Sequence, residues 1–240
     1  MRRRFFVNEV RNGKAQIEGD EARHLTRVLR VEAGQRYEIS DNRDVYLAEI
    51  ETARKESVVF RTLEKLPPPE PSARVELYAA LIKFDRFEWI VEKATELGVS
   101  EIVPVEATRS DRGLEKAAAK RVERWRRIAL EASQQSRRTL LPEITEPVPL
   151  AQALARAGTY RYVLDETPGA VPLMRALPAV RTVQDTVNIL TGPEGGWTDD
   201  EHGAFAAAGW IPVSMGPLIL RAETAVIAAL AVISQAWLLR

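Results

Sequence analysis

The chain has 240 residues, of which 45% are hydrophobic and 28% are charged, a composition typical of one or two soluble globular domains. It has no cysteine, which excludes a disulfide framework, a thiolate nucleophile and a thiolate metal site. Because it has only two histidines, a histidine metal cluster is also disfavoured, and we expect no metal.

The formal net charge is zero, but the charges are unevenly distributed along the chain. Residues 1–36 carry nine basic and five acidic side chains, and residues 116–138 carry eight basic and two acidic ones. Residues 182–204, in contrast, carry five acidic side chains and no lysine or arginine. The two basic segments favour binding of a polyanion such as RNA, although ordinary charged helix surfaces would produce the same pattern.

The N-terminus, MRRRFFVNEV, turns polar too early for a signal peptide. The longest apolar stretch, 225–239, contains Ser234 and Gln235 and is too short to span a membrane. We therefore expect a cytoplasmic protein that does not bind membranes.

The first part of the chain, 1–66, is predicted to form a small β-rich, barrel-like domain. One helix fits at 20–30, with Asp20 as its N-cap. Residues 67–72 include four prolines and predict a stiff linker to a second domain. The short alternating segments of the first domain predict strands at 4–7, 16–18, 37–40, 45–50 and 58–63.

Residues 73–240 change to alternating strands and helices, which predicts an α/β domain with a parallel sheet covered on both faces. Asp85 is predicted to cap the first helix, with Glu88 completing a capping box and Gly98 ending the helix. A single long helix is expected at 115–138. The other expected elements are strands at 75–82, 102–105, 160–164, 186–191 and 211–215, and helices at 150–157, 198–208 and 223–238.

The last helix contains the segment ETAVIAALAVISQAWLL, which is apolar on nearly all sides. One face of a sheet would not cover that much apolar surface, so the pattern favours a subunit interface in a homodimer. A central core helix within one chain is the alternative.

The segment LTGPEGG at 190–196, here called the glycine loop, begins in the last two residues of a predicted strand and continues beyond its end. It is not a Walker loop, because no Gly-Lys-Ser/Thr follows, and it lacks the GxGxxG fingerprint of dinucleotide-binding domains. Glycines beyond the carboxyl end of a strand let backbone groups read an adenine edge, and a tight turn is the alternative. Glu194 would suit a cationic ligand, or it is an ordinary surface carboxylate.

The segment MGPLILR at 215–221, here called the leucine loop, also follows a predicted strand and leads into the last helix. Leu218, Ile219 and Leu220 are more apolar than an exposed turn requires. They suit a wall around a flat base or a thioether chain, and core packing beneath the helix is the alternative.

Several segments resemble the RsmE family. They are HLTRVLR at 24–30, VEKATELGVSEIVPVEATRS at 91–110, ERWRRIALEASQQSRR at 123–138, LTGPEGGWTDDE at 190–201 and MGPLILRAETA at 215–225. The resemblance implies an S-adenosylmethionine-dependent methyltransferase of the SPOUT superfamily, which methylates N3 of a uridine in bacterial 16S ribosomal RNA. It further implies a PUA-like RNA-binding barrel at 1–66, a C-terminal trefoil knot that holds the cofactor, and a homodimer.

Three positions depart from the family pattern. Met215 stands where leucine is usual, Gln134 where glutamate is common and Arg137 where glycine is common. The methionine nearly conserves the side-chain volume, so it should leave a pocket intact. Arg137 is expected to add positive charge close to the RNA face.

By resemblance, three strand ends bind the cofactor. Arg221 is hypothesised to hydrogen-bond a uridine carbonyl oxygen, where negative charge builds during methyl transfer. Glu223 would orient Arg221 or accept a proton, and a carboxylate that complements the helix dipole is the alternative. The implied cofactor contacts are Leu164, Thr191, Gly192, Glu194, Gly196, Met215, Gly216, Pro217, Leu218 and Leu220.

RNA, in an assembled small ribosomal subunit, is expected to contact basic residues of both domains. Arg23, Arg27 and Arg30 are spaced to share one helical face, and His24 would stack on a base or cover the barrel core. The predicted RNA contacts are Arg2, Arg3, Arg4, Arg23, His24, Arg27, Arg30, Arg109, Arg124, Arg127 and Arg138.

The sequence leaves other functions open. A different SPOUT enzyme would methylate a ribose 2′-oxygen or another base, and a non-catalytic RNA-binding assembly factor would not transfer a methyl group at all. A dehydrogenase is a more distant alternative, since its fingerprint is missing. The target nucleotide, the general base and the need for an assembled subunit are not predicted.

Overall fold

The computed structural model describes residues 3–111 and 113–238, so Arg2 lies outside the described residues. The chain forms two compact units. The first contains the residues up to Glu70 together with Ser133–Leu141, and the second contains Pro71–Ala132 and the residues from Pro142 onward. The division after Glu70 falls within the proline-rich segment 67–72. The return of 133–141 to the first unit was not predicted from the sequence.

The first unit contains five strands that form one sheet. They are β1 (Arg4–Phe6), β2 (Lys14–Glu18), β3 (Arg36–Ser40), β4 (Val45–Arg54) and β5 (Ser57–Lys65). The order is β1-β3-β4-β5-β2, with β1 parallel to β3 and the other pairs antiparallel. Inward and outward residues alternate, so Ala15 and Ile17 of β2 are buried while their neighbours are exposed. The predicted strands of this unit are confirmed.

Helix α1 (Gly19–Arg27) packs its buried face, Ala22 and Leu25, into the core of the first unit. Its N-cap is Glu18, without a side-chain capping hydrogen bond, so the prediction of Asp20 as N-cap is wrong. The helix also ends before Arg30, whose φ of 52° is left-handed and does not continue an α-helix.

A buried carboxylate holds the segment 133–141 in the first unit. Glu38 of β3 pairs with Arg4 at 2.7 Å and also with Arg137. Arg4 donates to the Arg137 carbonyl oxygen at 2.6 Å and to Thr139 Oγ1 at 3.2 Å. Ser40 Oγ donates to the Thr139 carbonyl oxygen at 2.7 Å. The segment therefore depends on side chains of β1 and β3.

Two departures from the family pattern have a physical reason in this segment. Arg137 has a left-handed φ of 59°, which glycine adopts at low cost, and its guanidinium pairs with Glu38. The Arg137 guanidinium is therefore partly neutralised by Glu38, and its expected contribution to an RNA face stays a prediction. Gln134 Nε2 donates to Glu21 Oε1 at 2.9 Å, and burial raises the pKa of Glu21. An amide at position 134 avoids a second carboxylate beside Glu21.

The second unit contains a parallel sheet of eight strands. They are β6 (Arg74–Ala80), β7 (Glu101–Glu106), β8 (Glu143–Ile144), β9 (Val148–Pro149), β10 (Tyr160–Leu164), β11 (Val171–Pro172), β12 (Thr186–Thr191) and β13 (Ile211–Ser214). The order is β11-β13-β10-β12-β6-β7-β8, and β9 also pairs with β7. Every pairing described in this sheet is parallel, which confirms the predicted α/β architecture.

Helices connect these strands. They are α2 (Phe84–Glu96), α3 (Leu114–Ala118), α4 (Val122–Ser136), α5 (Leu150–Leu154), α6 (Leu173–Ala176), α7 (Asp199–Ala207) and α8 (Ala222–Leu238). The cap predicted at Asp85 is wrong, because α2 begins at Phe84 with Lys83 as N-cap, and Glu88 pairs with Arg124 at 2.6 Å. The single helix predicted at 115–138 is also wrong, because a 3-10 turn, Ala119–Arg121, separates α3 from α4. Alanines favour helix on both sides of this turn, so the sequence does not mark it.

Both faces of the parallel sheet are covered. Leu77 and Ala79 of β6 pack in one apolar cluster with α2 and α8, whereas Tyr78 and Ala80 pack in a second cluster with α5 and α7. Successive residues of a strand point to opposite faces, so this division is expected for a sheet buried on both sides. Over residues 3–111 and 113–238, the structure has no helix with the length and apolar character needed to cross a membrane.

We expect Glu38→Gln to lower the free energy of unfolding by about 2–3 kcal/mol, because two arginines would lose their shared buried counter-charge. The matched control is Glu49→Gln, which removes more exposed pairs with Arg36 and Arg61 and should lower the free energy of unfolding much less. Urea unfolding followed by circular dichroism measures both changes. Equal losses in the two variants would contradict the role given to Glu38.

Candidate functional site

The candidate site lies at the carboxyl ends of β13, β10 and β12, which are neighbours in the parallel sheet. The loops that follow these strands leave the sheet at the same edge, where ligands of open α/β sheets bind. Together they line a cavity of about 540 Å³. This volume falls within the range of pockets that hold small organic molecules and cofactors.

The structure brings the predicted cofactor contacts together. All ten line this one cavity, and Arg221 lines it as well. Glu223 is not among the described lining residues. The ten are Leu164, Thr191, Gly192, Glu194, Gly196, Met215, Gly216, Pro217, Leu218 and Leu220. That they bind a cofactor stays a prediction.

Among the lining residues that the sequence did not predict are Arg86, Trp197 and Val213. Arg86 lies in the first turn of α2, after β6, and it reaches the cavity because β6 is the sheet neighbour of β12. That adjacency is not visible in the sequence. Trp197 directly follows the glycine loop, and an indole next to small residues was the signal that could have identified it.

Trp197 fixes the glycine loop to the neighbouring strand. Its indole Nε1 donates to the Leu164 carbonyl oxygen of β10 at 3.1 Å, and the side chain is buried. The ring passes so close to Gly192 that a Cβ at that position would lie 2.9 Å from Trp197 Cε2. Glycine at position 192 is therefore required by packing against the indole.

Arg109, in the segment after β7, hydrogen-bonds to backbone groups of the glycine loop and of Trp197. Its Nη1 donates to the carbonyl oxygens of Gly195 at 3.1 Å and Trp197 at 3.0 Å. A Cβ at Gly195 would lie 3.0 Å from Arg109 Cβ, so the two segments are in close contact. Arg109, predicted as an RNA contact, thus has internal partners in the second unit.

Helix α7 begins directly after this loop with a capping box. Glu201 N donates to Thr198 Oγ1 at 3.2 Å, and Thr198 N donates to Glu201 Oε2 at 2.8 Å. Glu201 Oε1 also accepts from Thr108 N at 2.9 Å. Burial alone would raise the pKa of Glu201, but hydrogen bonds from Thr108 and Thr198 lower it below its ordinary value. The ionised carboxylate links the loop that carries Arg109 to α7.

The leucine loop is the most exposed wall of the cavity. Gly216 has a left-handed φ of 126°, and its N–H donates to Ser214 Oγ at 3.0 Å. The exposed fractions of Leu218 and Ile219 are 77% and 82%, although both line the cavity. Apolar side chains this exposed are not core packing beneath the last helix, which was the alternative for this loop.

Charged groups of both signs line the cavity. Arg86 and Glu194 form an ion pair there, and Arg221 is exposed. Asp165 directly follows β10; its Oδ1 accepts from Thr167 N at 3.0 Å, and its Oδ2 lies 3.0 Å from His202 Nε2.

Glu223, the other predicted catalytic residue, lies in the first turn of α8 and is buried. Its Oε2 has no hydrogen-bond partner among the described residues. A carboxylate in the first turn of a helix is stabilised by the helix dipole. Because Glu223 is buried and is not among the described lining residues, its position does not support direct proton transfer to a molecule in the cavity.

The predicted RNA contacts differ in their surroundings. Arg3, His24, Arg27, Arg30 and Arg127 are exposed. Arg23 pairs with Asp20 and Glu56, and Arg124 pairs with Glu88. Arg4 is held by Glu38, as described above, and Arg138 Nε donates to the Leu140 carbonyl oxygen at 3.0 Å. Burial lowers the pKa of Arg138 to about 10, so it remains protonated at neutral pH.

Within the described part of the chain, no group of three or more histidine or acidic side chains is placed to hold a metal ion.

We expect Gly192→Ala to displace the Trp197 ring, because the new methyl group would overlap the indole. The overpacking should cost about 1–3 kcal/mol of stability. Loss of the indole hydrogen bond should speed exchange of the indole N–H roughly tenfold, corresponding to about 1.4 kcal/mol. NMR of the indole N–H signals measures the exchange.

The control for this prediction is Gly203→Ala in α7, where a Cβ meets no atom within 4 Å. This variant should leave the exchange unchanged. Unchanged exchange in both variants would show that the ring does not restrict position 192.

The comparisons with known proteins agree with this architecture. Residues 68–234 match the model of the RNA methyltransferase domain family, and residues 17–63 match that of the RNA methyltransferase PUA domain. The ribosomal RNA small subunit methyltransferase E of Bacillus subtilis is 32% identical over 227 residues, which are 91% of this chain and 88% of that protein. The protein of the same name from Aquifex aeolicus is 30% identical over 230 residues, 95% of this chain and 97% of that protein.

A solved structure is similar over the whole fold. It is the ribosomal RNA small subunit methyltransferase E of Neisseria gonorrhoeae bound to S-adenosyl methionine, with a TM-score of 0.87 at 27% identity, covering 99% of this chain and 98% of that one. The resemblance to the RsmE family found in the sequence is thereby confirmed. By its domain matches, its relatives and its fold, the chain belongs to the ribosomal RNA small subunit methyltransferase E family.

Proposed function

We propose that this protein transfers a methyl group from S-adenosylmethionine to N3 of a specific uridine in 16S ribosomal RNA of the small ribosomal subunit. The family supports the reaction class and the substrate class. The observation that carries the proposal is a cavity lined jointly by the loops after β10, β12 and β13. A relative with the same fold was solved with S-adenosyl methionine bound.

The residues of the cavity fit this cofactor. Leu164, Val213 and Leu220 offer apolar contact for an adenosine ring. Gly192 has no side chain, so its backbone can approach the adenine edge closely. Charged side chains of both signs suit an amino-acid end. When bound, S-adenosylmethionine supplies an already activated methyl group. The protein then has to align the acceptor nitrogen and stabilise the charge that develops on the base.

Arg221 is the residue proposed to stabilise that charge. Uridine N3 lies between two carbonyl groups, and loss of its proton spreads negative charge onto their oxygens. Arg221 lines the cavity and is exposed, so its guanidinium can reach a base brought by RNA. Glu223 is kept in the proposal only as a positioning residue at the start of α8. No general base is assigned.

The RNA is proposed to lie on the exposed basic residues of the two units. Arg27 and Arg30 in the first unit and Arg127 in the second are exposed. Binding through such residues releases counterions, so affinity should fall steeply with salt. We place the reaction in the cytoplasm, on an assembled small subunit.

Two further features are proposed from the family resemblance: a trefoil knot in the C-terminal part and a homodimer. In support of the knot, β12 lies between β10 and β6, and β13 lies on the other side of β10. In support of the dimer, α8 buries Val226, Ile233 and Trp237 within the chain, yet Ile227 and Ala231 on its other side remain partly exposed.

The proposed function is tested by methylation of small ribosomal subunits from a bacterial strain that lacks its own enzyme, followed by mass spectrometry of the nucleosides. We expect 3-methyluridine. A 2′-O-methylated nucleoside or a different methylated base would assign another SPOUT activity. Cofactor binding without any product on assembled subunits or on naked RNA would overturn the proposed reaction.

We expect Arg221→Ala to reduce the methylation rate by about 10²–10³-fold, because one preorganised donor to a developing negative charge is lost. Affinity for S-adenosylhomocysteine, measured by calorimetry, should change by less than about threefold. Thr224→Ala, which changes an exposed residue in the first turn of α8, is the control and should keep the parental rate. Normal turnover of the Arg221 variant would remove this residue from the mechanism.

Arg109→Ala should weaken binding of S-adenosylhomocysteine about tenfold in the absence of RNA, because the glycine loop loses two charge-assisted hydrogen bonds. Arg175→Ala, an exposed arginine change in the same unit, is the control and should leave that affinity unchanged. If the Arg109 variant instead loses only affinity for RNA, the loop-bracing role is wrong and the original prediction of an RNA contact stands.

A further inference from the structure

The ion pair between Arg86 and Glu194 forms part of the cavity wall. Arg86 belongs to α2, after β6, and Glu194 belongs to the glycine loop, after β12. Because β6 and β12 are adjacent parallel strands, the two side chains meet at the same edge of the sheet. Of the ion pairs between described residues, this one alone has both members on the cavity wall.

The pair remains accessible to a ligand. The exposed fractions of the two side chains are 30% for Arg86 and 40% for Glu194. Of the other charged lining groups, Asp165 is held by Thr167 and His202, and Arg221 is assigned to the base. Glu166 also lines the cavity, as an exposed carboxylate that forms no ion pair among the described residues. Arg86 and Glu194 thus offer one cationic and one anionic group side by side.

S-adenosylmethionine has a matching charge distribution at one end. Its amino-acid end carries a carboxylate and an ammonium group on the same carbon atom, whereas the adenosine end is uncharged. The carboxylate accepts charge-assisted hydrogen bonds from a guanidinium, and the ammonium donates them to a carboxylate. A zwitterion can therefore bind an existing ion pair with every charge next to one of opposite sign.

We infer that Arg86 and Glu194 are the receptor for the amino-acid end of the cofactor. On binding, Arg86 exchanges part of its contact with Glu194 for the ligand carboxylate, and Glu194 accepts hydrogen bonds from the ligand ammonium group. The inference rests on the proposed function, because it assumes that the adenosine end occupies the apolar part of the cavity. The inference gives a ligand-binding role to Arg86, which lies in α2 and outside the glycine loop.

The competing explanation is that the pair only holds the glycine loop against α2. The two explanations differ in which ligands are affected. A receptor affects ligands that carry the amino-acid end, whereas a loop brace affects every ligand that contacts the glycine loop. Three ligands separate these cases: S-adenosylhomocysteine, its decarboxylated form, which keeps the amine, and 5′-methylthioadenosine, which has neither charge.

The test is calorimetric titration of the full chain and of Arg86→Gln and Glu194→Gln. Arg86→Gln should weaken S-adenosylhomocysteine by about tenfold to a hundredfold and leave the decarboxylated ligand and 5′-methylthioadenosine within about twofold. Glu194→Gln should weaken both ligands that carry the amine and spare 5′-methylthioadenosine. The control is Lys93→Gln, which removes ion pairs with Glu92 and Glu96 on the same helix and should change none of the affinities.

Two results would overturn the inference while leaving the proposed function in place: equal weakening of all three ligands by Arg86→Gln, or no weakening of S-adenosylhomocysteine. Circular dichroism of each variant establishes that it is folded. If the unaltered protein binds none of the three ligands, the proposed function itself fails. Failure of the inference and failure of the proposed function are thus read from different titrations.

Discussion

The candidate site depends on one constraint, the parallel alignment of β13, β10 and β12 side by side. The register pairs Val163 of β10 with Leu190 of β12, and Leu164 with Val213 of β13, so the three strands end at one edge. Their loops have to share that edge, and a cavity forms between them. The Trp197 indole, bonded to the Leu164 carbonyl oxygen, then limits how far the glycine loop can move from β10.

The side chains around the cavity divide into those that hold the loops and those that remain available to a ligand. Trp197, Arg109 and Glu201 bond to backbone groups and fix the loop geometry. Arg86 and Arg221 lie on the cavity wall and keep part of their surface exposed. Fixing the loops before a ligand arrives reduces the conformational entropy lost on binding and favours a defined geometry for transfer.

The sequence predicted much of this architecture, because hydrophobic periodicity and turn residues are local signals. The strands at 160–164 and 186–191 agree with β10 and β12 residue for residue, and the loops after them carry the predicted cavity residues. Arg86 was missed because it reaches the cavity through the adjacency of β6 and β12, which tertiary pairing alone defines. The cap at Asp85 and the uninterrupted helix at 115–138 were wrong, because neither Lys83 as N-cap nor the 3-10 turn at Ala119–Arg121 has a local sequence signal.

Because residues 133–141 belong to the first unit, a single cut between the two units does not yield the complete first unit. A fragment cut within the proline-rich segment would lack the stretch that supplies Arg137 and Thr139 to Glu38, Arg4 and Ser40. It would leave a carboxylate with half its counter-charge and a hydroxyl without its acceptor. Transplanting the first unit to another enzyme would thus require two discontinuous pieces of sequence, or a new connection that joins residue 70 to residue 133.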